Sequence, residues 1–459
     1  MATKLEECKI HPSFDTDDHE LSLPLTHFDI PFFLCNPTER LIFFDFPCSK
    51  RHFLDTVVPN LKKSLACTLT HFLALAGNII IPLDFGMPVS RYVSGDSVSL
   101  TIVQCDRDYQ YLTGNHQRVA NEFYACVPQL PPASRFPDSF ALPAMVLQVT
   151  LFPGQGICLG LTNNHVVGDE SSIVNFVKSW AIVNKFDSDV SLIDQKSLPV
   201  FYRNGVQDPG GLDSRAWNIV RKSRFFSVDP QHPTFPIDRV RATFILNKNQ
   251  VQNLKNYVSA NKPNLRHISS FSVICAYVWT CSEKCMAAAA GRQETNDDEP
   301  VYLPFAADCR QRLSPSLLST YFGNCVVYVI AESRHGLLKG DDGFLIAAES
   351  IGEAITETLY SEKDILDSAG WPVDFGEYFG RRYIGVAGSP KFDVYEADFG
   401  WGRPKSYEFA HIDRERYSIS LCKSREFEGE FEIGLSRMKI DMDVFEAIFN
   451  QGLKRIEKF

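Results

Sequence analysis

The 459-residue chain contains no CxxC pair, although it has 13 cysteines. Thioredoxin-type redox sites and CxxC zinc knuckles are therefore not expected. The odd count also argues against a disulfide framework and predicts reduced thiols in a cytosolic protein. Cys281 and Cys285 stand four apart in a helical pattern, which suits one helix face. No apolar run approaches the ~18–20 residues of a membrane-spanning helix. The polar segment Met1–Pro12 lacks the apolar stretch of a secretion signal, and Leu453–Phe459 lacks a lipidation ending. A soluble, cytoplasmic chain with no membrane partner is expected. Lysine and arginine form no block and the formal net charge is −10, so no nucleic-acid partner is expected either. No G-x-S-x-G turn occurs, which removes the hydrolases that present a serine on such a turn.

Apolar material is ample: 44% of residues are hydrophobic, against 22% charged. The length exceeds the ~250–300 residues at which a single core stops growing. Two domains are expected, over 1–190 and 237–459, joined by a crossover linker over 191–236. Strands are predicted at Arg40–Phe46, Ser97–Cys105, Met145–Phe152 and Gly156–Leu161 from their aromatic and β-branched runs. Helical spacing predicts Phe53–Ala76 and Ser171–Asn184, the latter with Ile173, Phe176, Val177, Trp180 and Val183 on one face. Met1–Ser22 reads as a poorly ordered lead-in followed by a first strand. Lys185–Pro236 loses periodicity. The second half restarts with a strand at Arg241–Leu246 and helices at Lys248–Ala260 and Ser270–Ala290. Strands at Val301–Ala306 and Cys325–Glu332 and a helix at Phe344–Leu366 follow. Strands at Tyr417–Leu421 and Glu430–Leu435 and a closing helix at Asp441–Gly452 complete it. Strands and helices alternate in both halves, so the class is mixed α/β.

Two segments carry chemistry. In Thr162-Asn163-Asn164-His165-Val166-Val167-Gly168-Asp169, a histidine and an aspartate stand four apart at the end of an apolar run. An imidazole of ordinary pKa, roughly 6.5, can take a proton from a hydroxyl or amine near neutral pH. A structural histidine is the bland alternative. A third ligand at conventional metal spacing is missing nearby, so no metal is expected. Ser171 and Ser172 open a helix and read as N-caps rather than nucleophiles. His165 would therefore act on an external hydroxyl. The second segment is Asp398-Phe399-Gly400-Trp401-Gly402-Arg403-Pro404, a turn with backbone freedom at both glycines. Asp398 reads as a carboxylate that pins this turn through hydrogen bonds rather than one that does proton chemistry.

Together and in this order, His165-x-x-x-Asp169 and Asp398-Phe399-Gly400-Trp401-Gly402 resemble the plant BAHD acyl-CoA-dependent acyltransferase family. Leu23-Pro24-Leu25-Thr26-His27-Phe28-Asp29 and Tyr321-Phe322-Gly323-Asn324-Cys325 are similar to two further motifs. The latter belongs to the clade that acylates sugars of anthocyanins, flavonoids and other phenolic glycosides. The resemblance implies two chloramphenicol-acetyltransferase-like α/β domains with a channel between them and His165 mid-channel. Acyl-CoA would enter one face as co-substrate and the glycoside the other, with no bound cofactor. His165 would be the base, and Asp169 would pair with an arginine to fix the loop, Arg310 being the candidate. Asp398 matches a position sometimes given a catalytic role. Ser269 and Ser270 resemble an acyl-CoA-contacting segment, with a plain helix cap as the alternative. Arg40 and His52 match positions thought to help hold malonyl-CoA, with exposed surface residues as the alternative, and Lys178 could meet a malonyl carboxylate, with a solvated surface lysine as the favoured alternative. Glu170 stands where the family often has glycine. The implied reaction is malonyl transfer to a sugar hydroxyl of a phenolic glucoside by a monomer whose partners are small molecules. A hydroxycinnamoyl donor, an amide product and an inactive binding relative remain open alternatives.

Overall fold

The computed structural model describes residues 2–14, 19–84, 86–222, 234–289, 296–361, 365–368, 381–414 and 418–457. A six-stranded sheet runs in the order Ala2–Ile10, Val98–Cys105, Met145–Phe152, Gly156–Asn163, Thr38–Phe44, Ser406–Phe409. Its two central strands form an antiparallel hairpin and are buried at every residue. That burial on both faces explains their near-continuous apolar runs. Helices Val58–Leu69 and Glu170–Lys185 pack together in the same core as this sheet, with Leu61, Leu65, Phe176 and Trp180 sealed beside Leu147 and Leu159. Trp180 is fully buried and its indole N–H donates to Ser64 Oγ at 3.0 Å.

The second large sheet runs Val326–Arg334, Pro300–Asp308, Val386–Ala387, Ile419–Lys423, Phe431–Met438, Arg239–Leu246, Arg118–Val119, with Arg382–Tyr383 beside Pro300–Asp308. Helices Lys248–Asn261, Ser270–Ala289, Gly343–Leu359 and Lys439–Ile456 share its core through Leu254, Trp279, Ile351 and Phe445. A third, five-stranded sheet is built from Glu20–Pro24, Val89–Val93, Asn78–Pro82, Ser139–Pro143 and Ser134–Arg135.

The two large sheets exchange strands. Ser406–Phe409, from the second half, pairs with Thr38–Phe44, and Arg118–Val119, from the first, pairs with Arg239–Leu246. A buried ion cluster lies at this crossing. Glu408 accepts from Arg118 Nη1 at 2.6 Å and from Arg241 Nη2 at 3.1 Å, while Arg241 Nη1 meets Asp413 Oδ1 at 2.7 Å. Both guanidinium groups also sit 5.3 Å from the Phe123 ring centre. Charges this deep persist only where each is paired and hydrogen-bonded.

Several elements differ from the sequence reading. The lead-in is a strand, Ala2–Ile10, in register with Val98–Cys105 along the sheet edge. The helix expected over Phe53–Ala76 is interrupted after Leu69 and resumes as Leu73–Ala76. At the break, Thr70 Oγ1 donates to Cys67 O at 2.7 Å, a local bond that competes with helix continuation. The expected linker carries a helix, Leu212–Val220, whose Trp217 is buried and whose register packs on Ile30–Leu34. Only Ala216, Trp217 and Val220 are buried on it, too sparse a pattern to read. The strand expected from Tyr417 begins at Ile419, and Tyr417 lies outside the described residues. The helix expected to Leu366 ends at Leu359, and residues 362–364 are likewise outside. No helix of the described residues is long and apolar enough to cross a membrane.

Candidate active site

His165 stands just past the strand Gly156–Asn163, at the start of a single helical turn, His165–Val167. Asn164 N–H donates to Ala144 O at 2.9 Å, and Asn164 Oδ1 accepts from Val166 N–H at 3.4 Å. Asp169 then caps the helix Glu170–Lys185: its Oδ1 accepts from Ser172 N–H at 3.1 Å and Ser172 Oγ at 3.2 Å. The cap is thus Asp169, not the serines, and Ser172 serves as its partner.

The Asp169 carboxylate is buried and meets Arg310 two-pronged, Nη1 to Oδ2 at 2.8 Å and Nη2 to Oδ1 at 3.0 Å. Such a fork fixes direction as well as distance. Asp169 Oδ2 also accepts from Cys325 N–H at 3.1 Å. Arg310 spends its remaining donors on Tyr321 O, Gly323 O and Asp308. Gly323 has φ +138°, and a Cβ there would lie 2.7 Å from the Arg203 guanidinium, so only glycine fits this turn. Asn324 Nδ2 reaches His165 O at 3.0 Å, Val166 O at 3.2 Å and Asp29 Oδ1 at 3.1 Å. Asp29 in turn accepts from Thr26 N–H and Oγ1. The early segment around Thr26–Asp29 and the Tyr321–Cys325 segment are therefore physical supports of the His165 loop.

The far end of the same helix is held by the Asp398 turn. Asp398 Oδ1 accepts from Gly400 N–H and Gly402 N–H, both at 2.8 Å, and Oδ2 meets Lys185 Nζ at 2.7 Å. Gly400 and Gly402 have φ +89° and +85°, which a side chain would strain. Asn184 Nδ2 donates to Phe399 O at 2.8 Å. Trp401 stacks on Phe399 and meets Phe44 edge-on, with ring centres 5.2 and 5.3 Å away. Asp398 is not among the described residues lining the cavity that holds His165.

That cavity is about 1010 Å³. His165 is partly exposed to it, with the Phe32 ring stacked on the imidazole at 3.9 Å and 7°. Burial, and then the positive charge of Arg40, push the His165 pKa down to about 4, although Asp169 and Glu170 pull it up. The ring is consequently neutral at pH 7 and able to accept a proton. The expected consequence is an acid limb of kcat/KM with its midpoint near pH 4. A midpoint near the ordinary histidine value of about 6.5 would show an unperturbed ring. The sign for stability is opposite in use: the unfolded chain binds this proton below about 6.5 and the folded chain does not. Folding should therefore weaken as pH falls from there toward 4, so melting curves must accompany the rate profile.

Arg40 and His52, expected together, are separated. Arg40 is buried and lines the cavity, which rules out the exposed-surface reading for it. His52 is exposed, off the cavity lining, with its N–H donated to Ser49 Oγ at 3.1 Å. Ser269 and Ser270 line the cavity at the start of Ser270–Ala289, and Ser269 Oγ accepts from Ser272 N–H at 3.1 Å. Both serines thus touch the cavity while Ser269 also caps the helix. Lys178 pairs with Glu396 in a separate groove along the Glu170–Lys185 helix. Glu170, singled out in the sequence only for replacing glycine, lines the cavity and bonds Arg40 and Tyr407. His411, for which the sequence offered no signal, also lines it, its pKa pushed down to about 3 by burial and then Arg40.

A braced loop that presents a neutral imidazole to a large cavity is the arrangement of a group-transfer enzyme. The chain belongs to the Transferase family, the BAHD acyltransferases, whose model matches residues 1–451. It is 42% identical to phenolic glucoside malonyltransferase 1 of Nicotiana tabacum, over 99% of each chain. It is 39% identical to the malonyl-coenzyme:anthocyanin 5-O-glucoside-6'''-O-malonyltransferase of Salvia splendens, over 98% of this chain and 95% of that one. Vinorine synthase shares the fold, with a TM-score of 0.70 at 18% identity over 97% of this chain and 96% of that one. The protein is an acyltransferase of mixed α/β, chloramphenicol-acetyltransferase-like fold.

Proposed function

We propose that this acyltransferase moves malonyl from malonyl-CoA to a sugar hydroxyl of a phenolic glucoside. The observation that carries this is the neutral His165 ring, partly open to a cavity that also reaches Ser269 and Ser270. Its likeness along the whole length to two glucoside malonyltransferases supports the donor and the acceptor class. His165 takes the proton as the sugar oxygen attacks the thioester carbonyl. The tetrahedral oxyanion collapses, the C–S bond breaks, and the imidazolium returns its proton to the departing CoA thiolate. Ser269 and Ser270 fit a polar group of the CoA arm near a helix N-terminus. His52, off the cavity lining, takes no part in acyl-CoA contact in this reading. In this reading the protein acts as a monomer, and we place it in the cytoplasm. Incubation with malonyl-CoA and a flavonoid glucoside should yield a malonylated glucoside and free CoA. No product from any acyl-CoA at high protein concentration would overturn the proposal.

In this reading Asp398 is a structural carboxylate. Burial works to raise its pKa, but Lys185 and the two glycine N–H groups hold it below the usual carboxylate range. Asp398→Ala should weaken folding by about 1–3 kcal/mol, the cost of leaving such donors unpaired, while folded enzyme keeps most of its kcat. A collapsed kcat at wild-type stability would instead make it catalytic.

A further inference from the structure

Among the described residues, Glu170 is the carboxylate placed directly against the Arg40 guanidinium. Its Oε2 accepts from Arg40 Nε at 3.0 Å and from Nη2 at 2.6 Å, while Oε1 accepts from the Tyr407 hydroxyl at 2.7 Å. Arg40 Nη1 donates to Thr38 Oγ1 at 2.8 Å and Asn163 Oδ1 at 2.7 Å. Nη1 therefore ties the guanidinium to the start of its own strand and to the end of the strand that leads to His165. The Nε–Nη2 edge, which in arginine is a ready fork for a carboxylate, is already filled.

A malonyl carboxylate lies one methylene from the thioester carbonyl that is attacked, so it must settle close to His165. Other cations there are committed. Arg310 is bound to Asp169, Lys391 to Asp308, Arg312 donates to the Asp308 carbonyl and stands over the Tyr360 ring, and His411 is neutral. Arg40 remains, and it lines the cavity together with His165 and Glu170. An incoming carboxylate must share or take over the edge that Glu170 holds, and two carboxylates at one guanidinium repel. A donor with an uncharged acyl group meets no such competition.

We propose that Glu170 is the donor-selectivity residue of this site, an internal occupant of the Arg40 edge that an acyl carboxylate would use. The inference rests on acyl-CoA transfer at His165 and is independent of the acceptor. Arg40 keeps its place without Glu170, because Nη1 holds it to Thr38 and Asn163.

Malonyl-CoA and acetyl-CoA differ by one carboxylate, so the ratio of their Kd values isolates that group. Calorimetric titration of wild type and Glu170→Gln with each ester needs no acceptor. The variant should prefer malonyl-CoA about tenfold more strongly than wild type does, the scale of a charge-assisted hydrogen bond. Glu170→Asp, with its carboxylate drawn back from Arg40, should move the ratio the same way by less, and it serves where the glutamine variant fails to fold. An unchanged or reduced malonyl preference in a folded variant overturns the inference, and so does failure of all variants to bind either ester. Wild type that binds both esters yet malonylates no glucoside would sink the proposed function alone, with the Kd ratio still readable.

Discussion

His165→Ala should lower kcat by about three to four orders of magnitude, the upper range for a positioned general base. The residue is expected to contribute chemistry rather than shape. Its ring is neutral at pH 7, with burial and Arg40 holding the pKa down to about 4. A base of low pKa is weaker, but it is present wholly in the competent form. The loop around it is held by backbone and by Asn324, Asp169 and Asp29, none of which bonds the imidazole. Removing the ring should therefore leave folding nearly intact, with loss mainly of the stacking on Phe32. Steady-state kinetics beside a thermal melt checks both parts. A variant that turns over within about tenfold of wild type would assign proton transfer elsewhere, since one base accounts for at least about a hundredfold.

Arg310→Ala is the second large effect, and it acts through structure. The arginine is buried, forked onto Asp169, and bonded to two carbonyls of the Tyr321–Cys325 segment. Deleting it strands a buried carboxylate, a change that typically costs about 3–5 kcal/mol. Asp169 also caps the helix behind His165, so the same substitution frees the loop that aims the imidazole. Folding and turnover should fall together. Arg310→Lys keeps the charge but not the fork, and should recover stability more than activity. The double variant Asp169→Ala with Arg310→Ala should be less unstable than the sum of the singles, because neither charge is then left alone. Denaturant midpoints for the four proteins measure that coupling. Additive losses would mean that the pair is not a unit.

The parts legible in the sequence were those written in contiguous residues. His165 to Asp169 and Asp398 to Gly402 announce themselves because each does local work, the first a turn and a cap, the second a carboxylate over two glycine N–H groups. The central hairpin and the helix after His165 were visible through near-continuous apolar runs and a clear helical face. Apart from the Asp169–Arg310 pair, which the family resemblance supplied, long-range meaning was not visible. Arg40 kept an exposed-surface reading beside its acyl-CoA one because its partners Asn163 and Glu170 lie far along the chain. Ser406–Phe409 is a strand only because Thr38–Phe44 offers an edge, and four residues carry too little period to show it. His411 gains its depressed pKa from burial and Arg40, neither of which its neighbours in sequence reveal.

The central claim is that malonyl is delivered to a sugar oxygen. It is tested most directly by fragmenting the product made from malonyl-CoA and a phenolic glucoside in a mass spectrometer. The sugar fragment should carry a single malonyl group that mild alkali removes, and the aglycone fragment should carry none. Malonyl on the aglycone, or an alkali-stable amide, would contradict the account.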